Sequence, residues 1–247
     1  MRQAEVLITG LGHEGEGIGR VEGIATFVPG ALPGETVLVD IREKKKNFQR
    51  GLLLEVLERS PERIDAPCSV FEHCGGCQLQ HMNYEASLAW KRKRVEDSLI
   101  RIGKLKGVKV YPVMGMENPW RYRNKVQLHV GQVDGKLALG YYSHKTNRLV
   151  KFKDCLLIPP VFNKLRDFLA GFLNAHLVSP GELENVVIRY SPVTMEVMVG
   201  LTGNLAGLPW EQVIEEFPQI KSLVLVNPKT GEVKAAGGNA FIRDRIF

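Results

Sequence analysis

The sequence has no hydrophobic run long enough to cross a membrane. A membrane-spanning helix needs about 20 consecutive apolar residues, whereas apolar runs here, such as Leu223–Val226, are far shorter. No apolar signal-peptide core follows Met1-Arg-Gln-Ala-Glu5. These absences predict a cytoplasmic protein without a membrane partner, and in that compartment clustered cysteines more often bind metals or react than form structural disulfides.

Acidic residues are scarce in one part of the chain. The formal net charge is +6, but residues 84–155 alone carry 16 basic and 6 acidic side chains. The positive charge is therefore concentrated in this middle segment. Such a field favours a polyanion such as RNA over a small acidic substrate. A solvated basic surface that serves solubility is the alternative interpretation.

The first sixty residues lack an amphipathic run of helical length. Short candidate strands alternate there with glycine- and proline-rich turns. The strands are Glu5–Thr9, Gly19–Val21, Ile24–Val28, Thr36–Ile41 and Gly51–Leu57. Five short strands in so little chain predict a small closed barrel of the OB type at residues 1–60. The glycine-rich stretch 10–19 is interpreted as a barrel turn, since a phosphate-binding loop would open a helix.

The remaining chain predicts an α+β fold in two further segments. Residues 61–112 form a cysteine-rich connector with one long helix at 85–102, capped by Asn83 and stopped by Gly103. Residues 113–247 form an α+β domain, with a hairpin at Asp134-Gly135 and an amphipathic helix at 162–176. The helices are expected on one face of its sheet.

The four cysteines of the chain form an uneven pattern. Cys68-x5-Cys74-Gly-Gly-Cys77 is followed far downstream by Cys155. One turn of backbone can direct the sulfurs of Cys74 and Cys77 to one metal, and the intervening glycines permit that tight loop. Four thiolates suit zinc or an iron–sulfur cluster. Spacing alone leaves both open, beside inert thiols or a disulfide.

Longer motifs around these cysteines carry a resemblance to a known family. The segment Cys68-x5-Cys74-Gly-Gly-Cys77-Gln-Leu-Gln-His81 resembles the iron–sulfur (23S ribosomal RNA m5U methyltransferase-like) subset of the RNA (uracil-5-)-methyltransferases. Further similar segments are Asn83-Tyr84, Lys91-Arg-Lys93, Arg101-Ile-Gly103, Trp120-Arg-Tyr-Arg-Asn-Lys125 and Gly140-Tyr-Tyr142. The resemblance covers essentially the whole chain. It implies that the barrel is an RNA-binding TRAM domain. It also implies a [4Fe–4S] cluster on Cys68, Cys74, Cys77 and Cys155, with Cys155 as the distant ligand.

The resemblance further implies an S-adenosylmethionine-dependent enzyme. Methylation of uracil at C5 requires a nucleophile that adds at C6 and a base that removes the C5 proton. In the family a cysteine is the nucleophile, and a C-terminal domain binds S-adenosylmethionine. With all four cysteines assigned to iron and no cofactor loop visible, we predict the RNA-recognition and cluster-binding portion of such an enzyme, without its catalytic domain and inactive alone. The alternative is a standalone zinc- or cluster-binding RNA module.

Two basic groups are candidate RNA contacts. On the barrel, an aromatic ring available for base stacking lies among four cations: Lys44, Lys45, Lys46, Phe48 and Arg50. In the central domain, Arg121, Arg123 and Lys125 alternate with other residues. In an extended strand the three cations share one face, while Tyr122 packs inward. The expected partner is structured RNA. Ribosomal RNA is favoured, and transfer RNA is the alternative, since the sequence does not choose between them.

The connecting helix predicts a second kind of contact. Leu88, Val95, Leu99 and Ile102 recur at helical spacing and form an apolar stripe. Since the resemblance implies that this segment packs on the catalytic domain, we expect the stripe to be exposed here. Self-association through the helix at 84–102 is one expected consequence.

Overall fold

The computed structural model describes residues 2–238 of the chain. Within this range the residues form two compact units. Unit 1 contains residues 2–71 and 77–117, and unit 2 contains residues 72–76 and 118–238. No helix in the described range is long and apolar enough to cross a membrane.

Unit 1 contains the predicted five-stranded barrel. Its strands are β1 (Gln3–Leu11), β2 (Gly17–Val21), β3 (Ile24–Val28), β4 (Thr36–Lys44) and β5 (Phe48–Glu58). They close in the order β1-β2-β3-β5-β4, with β3 and β5 parallel and the other pairs antiparallel. Alternate residues such as Val6, Ile8 and Val37 point inward and are fully buried. A side chain at Gly19 would overlap Val6 and the Leu7 carbonyl, so only glycine permits this approach of β1 and β2.

A buried ion pair connects the barrel to the segment that follows it in the chain. The Glu35 carboxylate is fully buried and binds the Arg63 guanidinium, with Oε1–Nε at 2.5 Å and Oε2–Nη2 at 2.8 Å. Arg63 also donates to the Gly30 carbonyl, and the Leu32 amide donates to Glu35. Burial acts to raise the pKa of Glu35, but these hydrogen bonds outweigh it and leave the pKa lowered.

The connecting helix differs from the uninterrupted one predicted. Helix α1 spans Tyr84–Asp97, and the Asn83 side chain caps it by accepting the Ala86 amide at 2.8 Å. The chain then continues as a π-helical turn, Ser98–Ile102. Along the predicted stripe, Val95 and Ile102 are exposed, whereas Leu88 and Leu99 are half-buried. Self-association through this segment stays a prediction.

Unit 2 is built on a mixed seven-stranded sheet. Its strands are β6 (Lys125–Val133), β7 (Lys136–Tyr142), β8 (Leu149–Val150), β9 (Leu183–Tyr190), β10 (Val197–Gly203), β11 (Ile220–Val226) and β12 (Val233–Gly238). The order is β12-β11-β10-β9-β6-β7-β8, and only β10 and β11 are parallel within the described residues. The predicted β6–β7 hairpin is confirmed, with Asp134 and Gly135 at positive φ.

Two helices lie on the same side of this sheet, as predicted. Helix α2 (Pro160–Ala175) buries an apolar stripe that includes Leu165, Leu169 and Leu173. Helix α3 (Glu211–Glu216) is short, and its flanking Trp210 contacts Phe172 of α2 with ring centroids 5.1 Å apart. Because side chains alternate along a strand, the sheet has a second face that these helices leave uncovered.

Candidate metal and RNA-binding sites

The Cys74 loop is held against the end of β7 within unit 2. The Gly75 amide donates to the Tyr142 carbonyl at 2.9 Å. A side chain at Gly75 would lie 2.9 Å from that oxygen and 3.1 Å from the His144 nitrogen, so the contact requires glycine. The Gly76 amide points at Cys74 Sγ, 3.4 Å away. An amide in this position stabilises negative charge on sulfur.

Cys155 lies before α2, also in unit 2, near the same buried phenol as Cys74. The pKa of Tyr141 is raised, first by burial and then by the charge of the Cys155 and Cys74 sulfurs. The Tyr141 hydroxyl is buried and has no hydrogen bond of ordinary geometry to the described residues. Two predicted ligands that are far apart in sequence therefore act on one side chain.

The other two cysteines, Cys68 and Cys77, belong to unit 1. All four cysteines are half-buried. Across residues 2–238 no three His, Cys, Asp or Glu side chains are grouped so that they would hold a metal ion. Four thiols are suitable ligands for a metal, and the Gly76 amide of unit 2 is placed to stabilise negative charge on a sulfur atom. Because no grouped set of ligands is present in the described residues, the cluster stays a prediction.

His81, which follows the cysteine motif, is a packing residue. It is 4% exposed and lies against Phe71, with ring centroids 5.2 Å apart. Neither ring nitrogen has a hydrogen-bond partner among the described residues. Burial, and secondly the nearby charge of Arg63, lower the pKa of His81 to about 4. The imidazole is therefore neutral near pH 7.

The predicted row of three cations at residues 121–125 does not form. Strand β6 begins only at Lys125, Arg121 has a φ of 60°, and Tyr122 is 51% exposed instead of packed inward. The Arg121 guanidinium binds both oxygens of Asp154, at 2.8 and 2.6 Å. It also donates to the carbonyl of Cys155 at 2.7 Å. Arg121 therefore positions the loop that carries Cys155 and is not part of a shared cationic face.

This ion pair is reflected in the pKa values of its members. The hydrogen bond from Arg121 lowers the pKa of Asp154, and the same bond raises the pKa of Arg121. The Arg123 amide donates to the Leu157 carbonyl at 2.9 Å. Residues 121–123 thus follow the 154–158 loop through backbone and side-chain contacts, which no spacing rule in the sequence indicates.

The candidate RNA-binding residues of the barrel, here called the barrel patch, have two further neighbours in the structure, Phe27 and Glu43. The Arg50 guanidinium lies over the rings of Phe48 and Phe27, 5.8 and 5.9 Å from their centroids. Phe27 reaches this position because β3 pairs with β5 and places it opposite Arg50. Glu43 neutralises part of the patch, 3.2 Å from Lys45 and 3.6 Å from Arg50. Lys44 and Lys46 are exposed.

Comparison with known proteins places this architecture among RNA-modifying enzymes. The family model of the TRAM domain matches residues 2–54, the barrel of unit 1. An uncharacterized RNA methyltransferase of Halalkalibacterium halodurans is 40% identical, covering 98% of this chain and 57% of the relative. One of Caldanaerobacter subterraneus is 39% identical, covering 95% and 54%. The chain is a homologue of the RNA methyltransferases.

A solved structure extends the likeness to three dimensions. This chain resembles the Pyrococcus abyssi tRNA (uracil-54, C5)-methyltransferase in complex with S-adenosyl-L-homocysteine, with a TM-score of 0.69 and 25% identity. That match covers 98% of this chain and 57% of the solved one. This chain thus spans somewhat more than half the length of the relatives that it matches.

These matches overturn the prediction of an inactive fragment with a missing catalytic domain. Methyltransferases align with 98% of the chain, including one solved with a product of the methyl donor bound. The alternative of a standalone binding module without enzymatic activity is contradicted by the same coverage.

Proposed function

We propose that the protein is an S-adenosylmethionine-dependent methyltransferase that modifies C5 of uracil in structured RNA. The observation that carries this proposal is the alignment of 98% of the chain with a tRNA (uracil-54, C5)-methyltransferase at a TM-score of 0.69. The TRAM match at residues 2–54 supports an RNA substrate. The cysteine motif, which resembles that of the ribosomal RNA subset of the family, favours ribosomal RNA as the substrate. The structural neighbour is named as a transfer RNA methyltransferase.

S-adenosylmethionine supplies an electrophilic methyl group to the reaction. The parallel β–α–β unit of the described residues is β10–α3–β11. A side chain at Gly203, at the end of β10, would overlap the Glu182 carbonyl, so β10 ends packed directly on the chain that precedes β9. We assign no described residue to the methyl donor or to catalysis. We retain 1–60, 61–112 and 113–247 as proposed domain boundaries.

The protein's own contribution that we propose is RNA binding through the barrel patch, residues Lys44, Lys45, Lys46, Phe48 and Arg50. The Arg50 guanidinium lies 5.9 and 5.8 Å from the centroids of the Phe27 and Phe48 rings, so one site offers both a cation for a phosphate and aromatic rings for a base. Arg121, Arg123 and Lys125 remain proposed RNA contacts, although the Asp154 pair occupies Arg121. Of these three, Lys125 is the exposed one.

Methyl transfer from labelled S-adenosylmethionine to RNA tests the function. Ribosomal and transfer RNA transcripts should acquire label, recovered after nuclease digestion as 5-methyluridine. Arg50→Ala should raise KM for RNA about tenfold with kcat little changed, because it removes a stacking contact made before the reaction. Arg20→Ala, which removes an exposed arginine from strand β2 of the same barrel, is the matched control and should leave KM unchanged. Label in any other nucleoside, or in none, would refute the proposal.

We also propose that Cys68, Cys74, Cys77 and Cys155 bind a [4Fe–4S] cluster. Protein purified without oxygen should be brown and contain iron and sulfide in equal amounts. Cys155→Ser should lose the colour and the iron together, since a distant ligand closes a loop of nearly eighty residues. Ser69→Ala, beside Cys68, keeps every thiol and is the control. A colourless protein that contains zinc would exclude the cluster.

A further inference from the structure

Around β6, the face of the unit 2 sheet that lies opposite the helices is polar and aromatic. Val126 and Leu128 of β6 are buried on the helix side, so Lys125, Gln127 and His129 point to the other side. Lys125 and Gln127 are exposed, and His129 is half-buried. Single residues of β9 and β7, described below, extend this surface, which we call the open face. At β11 the same side of the sheet is buried.

Two cations stand directly opposite each other on the open face. Lys125 of β6 and Arg189 of β9 are Cα partners in the antiparallel ladder, and both are exposed. Neither forms an ion pair with any other described residue. Like charges opposite one another on a sheet destabilise it unless an anion lies between them. A phosphate bound between the two side chains would relieve this repulsion, and unlike Arg121 neither cation is neutralised by an ion pair among the described residues.

An aromatic pair lies further along the same face. The Tyr142 ring stacks on the His129 imidazole, with centroids 3.8 Å apart and planes 12° from parallel. His129 and Lys125 are four residues apart on β6, or about 13 Å at the usual rise of a strand. Burial lowers the pKa of His129, so the stack is uncharged near pH 7.

We propose that the open face binds single-stranded RNA, with a phosphate at Lys125 and Arg189 and a base on the Tyr142–His129 stack. Unpaired bases are recognised by stacking on aromatic side chains, whereas bases within a duplex are not available for it. The distance between the cation pair and the aromatic stack corresponds to a few nucleotides of single-stranded RNA. The inference rests on the proposed function, since it assumes an RNA substrate, and it names the part of that substrate which unit 2 contacts.

Fluorescence anisotropy with a labelled twelve-nucleotide single-stranded RNA tests the site. Lys125→Gln with Arg189→Gln should weaken binding about tenfold and reduce the slope of log affinity against log salt by about 1.4, as expected for two lost phosphate contacts. Tyr142→Leu should weaken binding without changing the slope, and Tyr142→Phe should restore it. Lys164→Gln with Lys229→Gln, two exposed lysines of unit 2, removes equal charge and should leave affinity unchanged.

The outcomes separate the two proposals. If the open-face variants bind as tightly as the unaltered protein while Arg50→Ala weakens binding, the open face is excluded and the proposed function stands. If the unaltered protein neither binds RNA nor transfers methyl groups to it, both fail. A thermal melt of each variant identifies unfolding, and rescue by Tyr142→Phe shows that the ring itself is required.

Discussion

Replacing Arg63 with methionine should destabilise unit 1 by about 3–5 kcal/mol, the usual cost of removing one partner of a buried ion pair. The reason is Glu35, whose carboxylate is fully buried and would lose both hydrogen bonds from Arg63. The remaining amide donors, Leu32 at 2.8 Å and Ser60 at 3.4 Å, do not neutralise its charge. The loss should appear as faster amide exchange in β4 and β5 and as a lower urea midpoint.

Arg59 offers a matched control for this experiment. It pairs with Asp65 at 2.9 Å, but the two side chains are 54% and 98% exposed. Arg59→Met should therefore cost only about 0–1 kcal/mol. Equal losses of stability in the two variants would contradict the conclusion that the buried Arg63–Glu35 pair stabilises unit 1 more than the exposed Arg59–Asp65 pair does. The double variant Glu35→Gln with Arg63→Met should recover part of the loss, because it buries no net charge.

Acidification should destabilise unit 1 through His81. The folded protein holds the pKa of this buried histidine at about 4, against 6.5 for an ordinary one. Between these values the unfolded chain binds a proton that the folded chain does not. The stability contributed by neutral His81 is therefore complete above pH 6.5 and is lost as the pH falls toward 4. The loss is on the order of 3 kcal/mol.

The test compares unfolding free energies at pH 7.5 and pH 4.5. His81→Phe keeps an aromatic ring against Phe71 but cannot titrate, so its stability should change less between the two pH values. His73→Phe removes an exposed histidine and should behave as the unaltered protein does. Glu35, with its lowered pKa, also loses stability on acidification, but it is present in all three proteins. Identical pH dependence in the His81 variant would refute the prediction.

The elements that the sequence predicted well are those with strong local signals. Turn glycines and alternating apolar residues located the five barrel strands, Asp134-Gly135 located the hairpin, and the apolar stripe located α2. The weak or short elements were missed, among them β8 of two residues and β12. The π-helical turn at Ser98–Ile102 was missed too, since nothing in its composition distinguishes it from α-helix.

The sequence did not indicate the side-chain contacts that depend on a distant partner. From the sequence, Arg121 is predicted to be a surface cation, whereas in the structure it is paired with Asp154, 33 residues away. Arg63 and Glu35 are 28 residues apart and were not singled out at all. Arg189 joins Lys125 only through the register of β6 and β9. Strand register and loop closure are properties of the folded chain, and no local pattern encodes them.

Closure of the barrel limits how unit 1 associates with other polypeptides. Each of its five strands has a hydrogen-bonded neighbour on both sides over part of its length, so closure leaves shorter unpaired edges than an open sheet would have. Strand addition by a protein partner is therefore restricted to unpaired segments, such as the part of β5 that follows Arg50, where its pairing with β3 ends. Assembly through the rest of the barrel depends on side chains at its surface, and single substitutions there can abolish it without disturbing the backbone ladder.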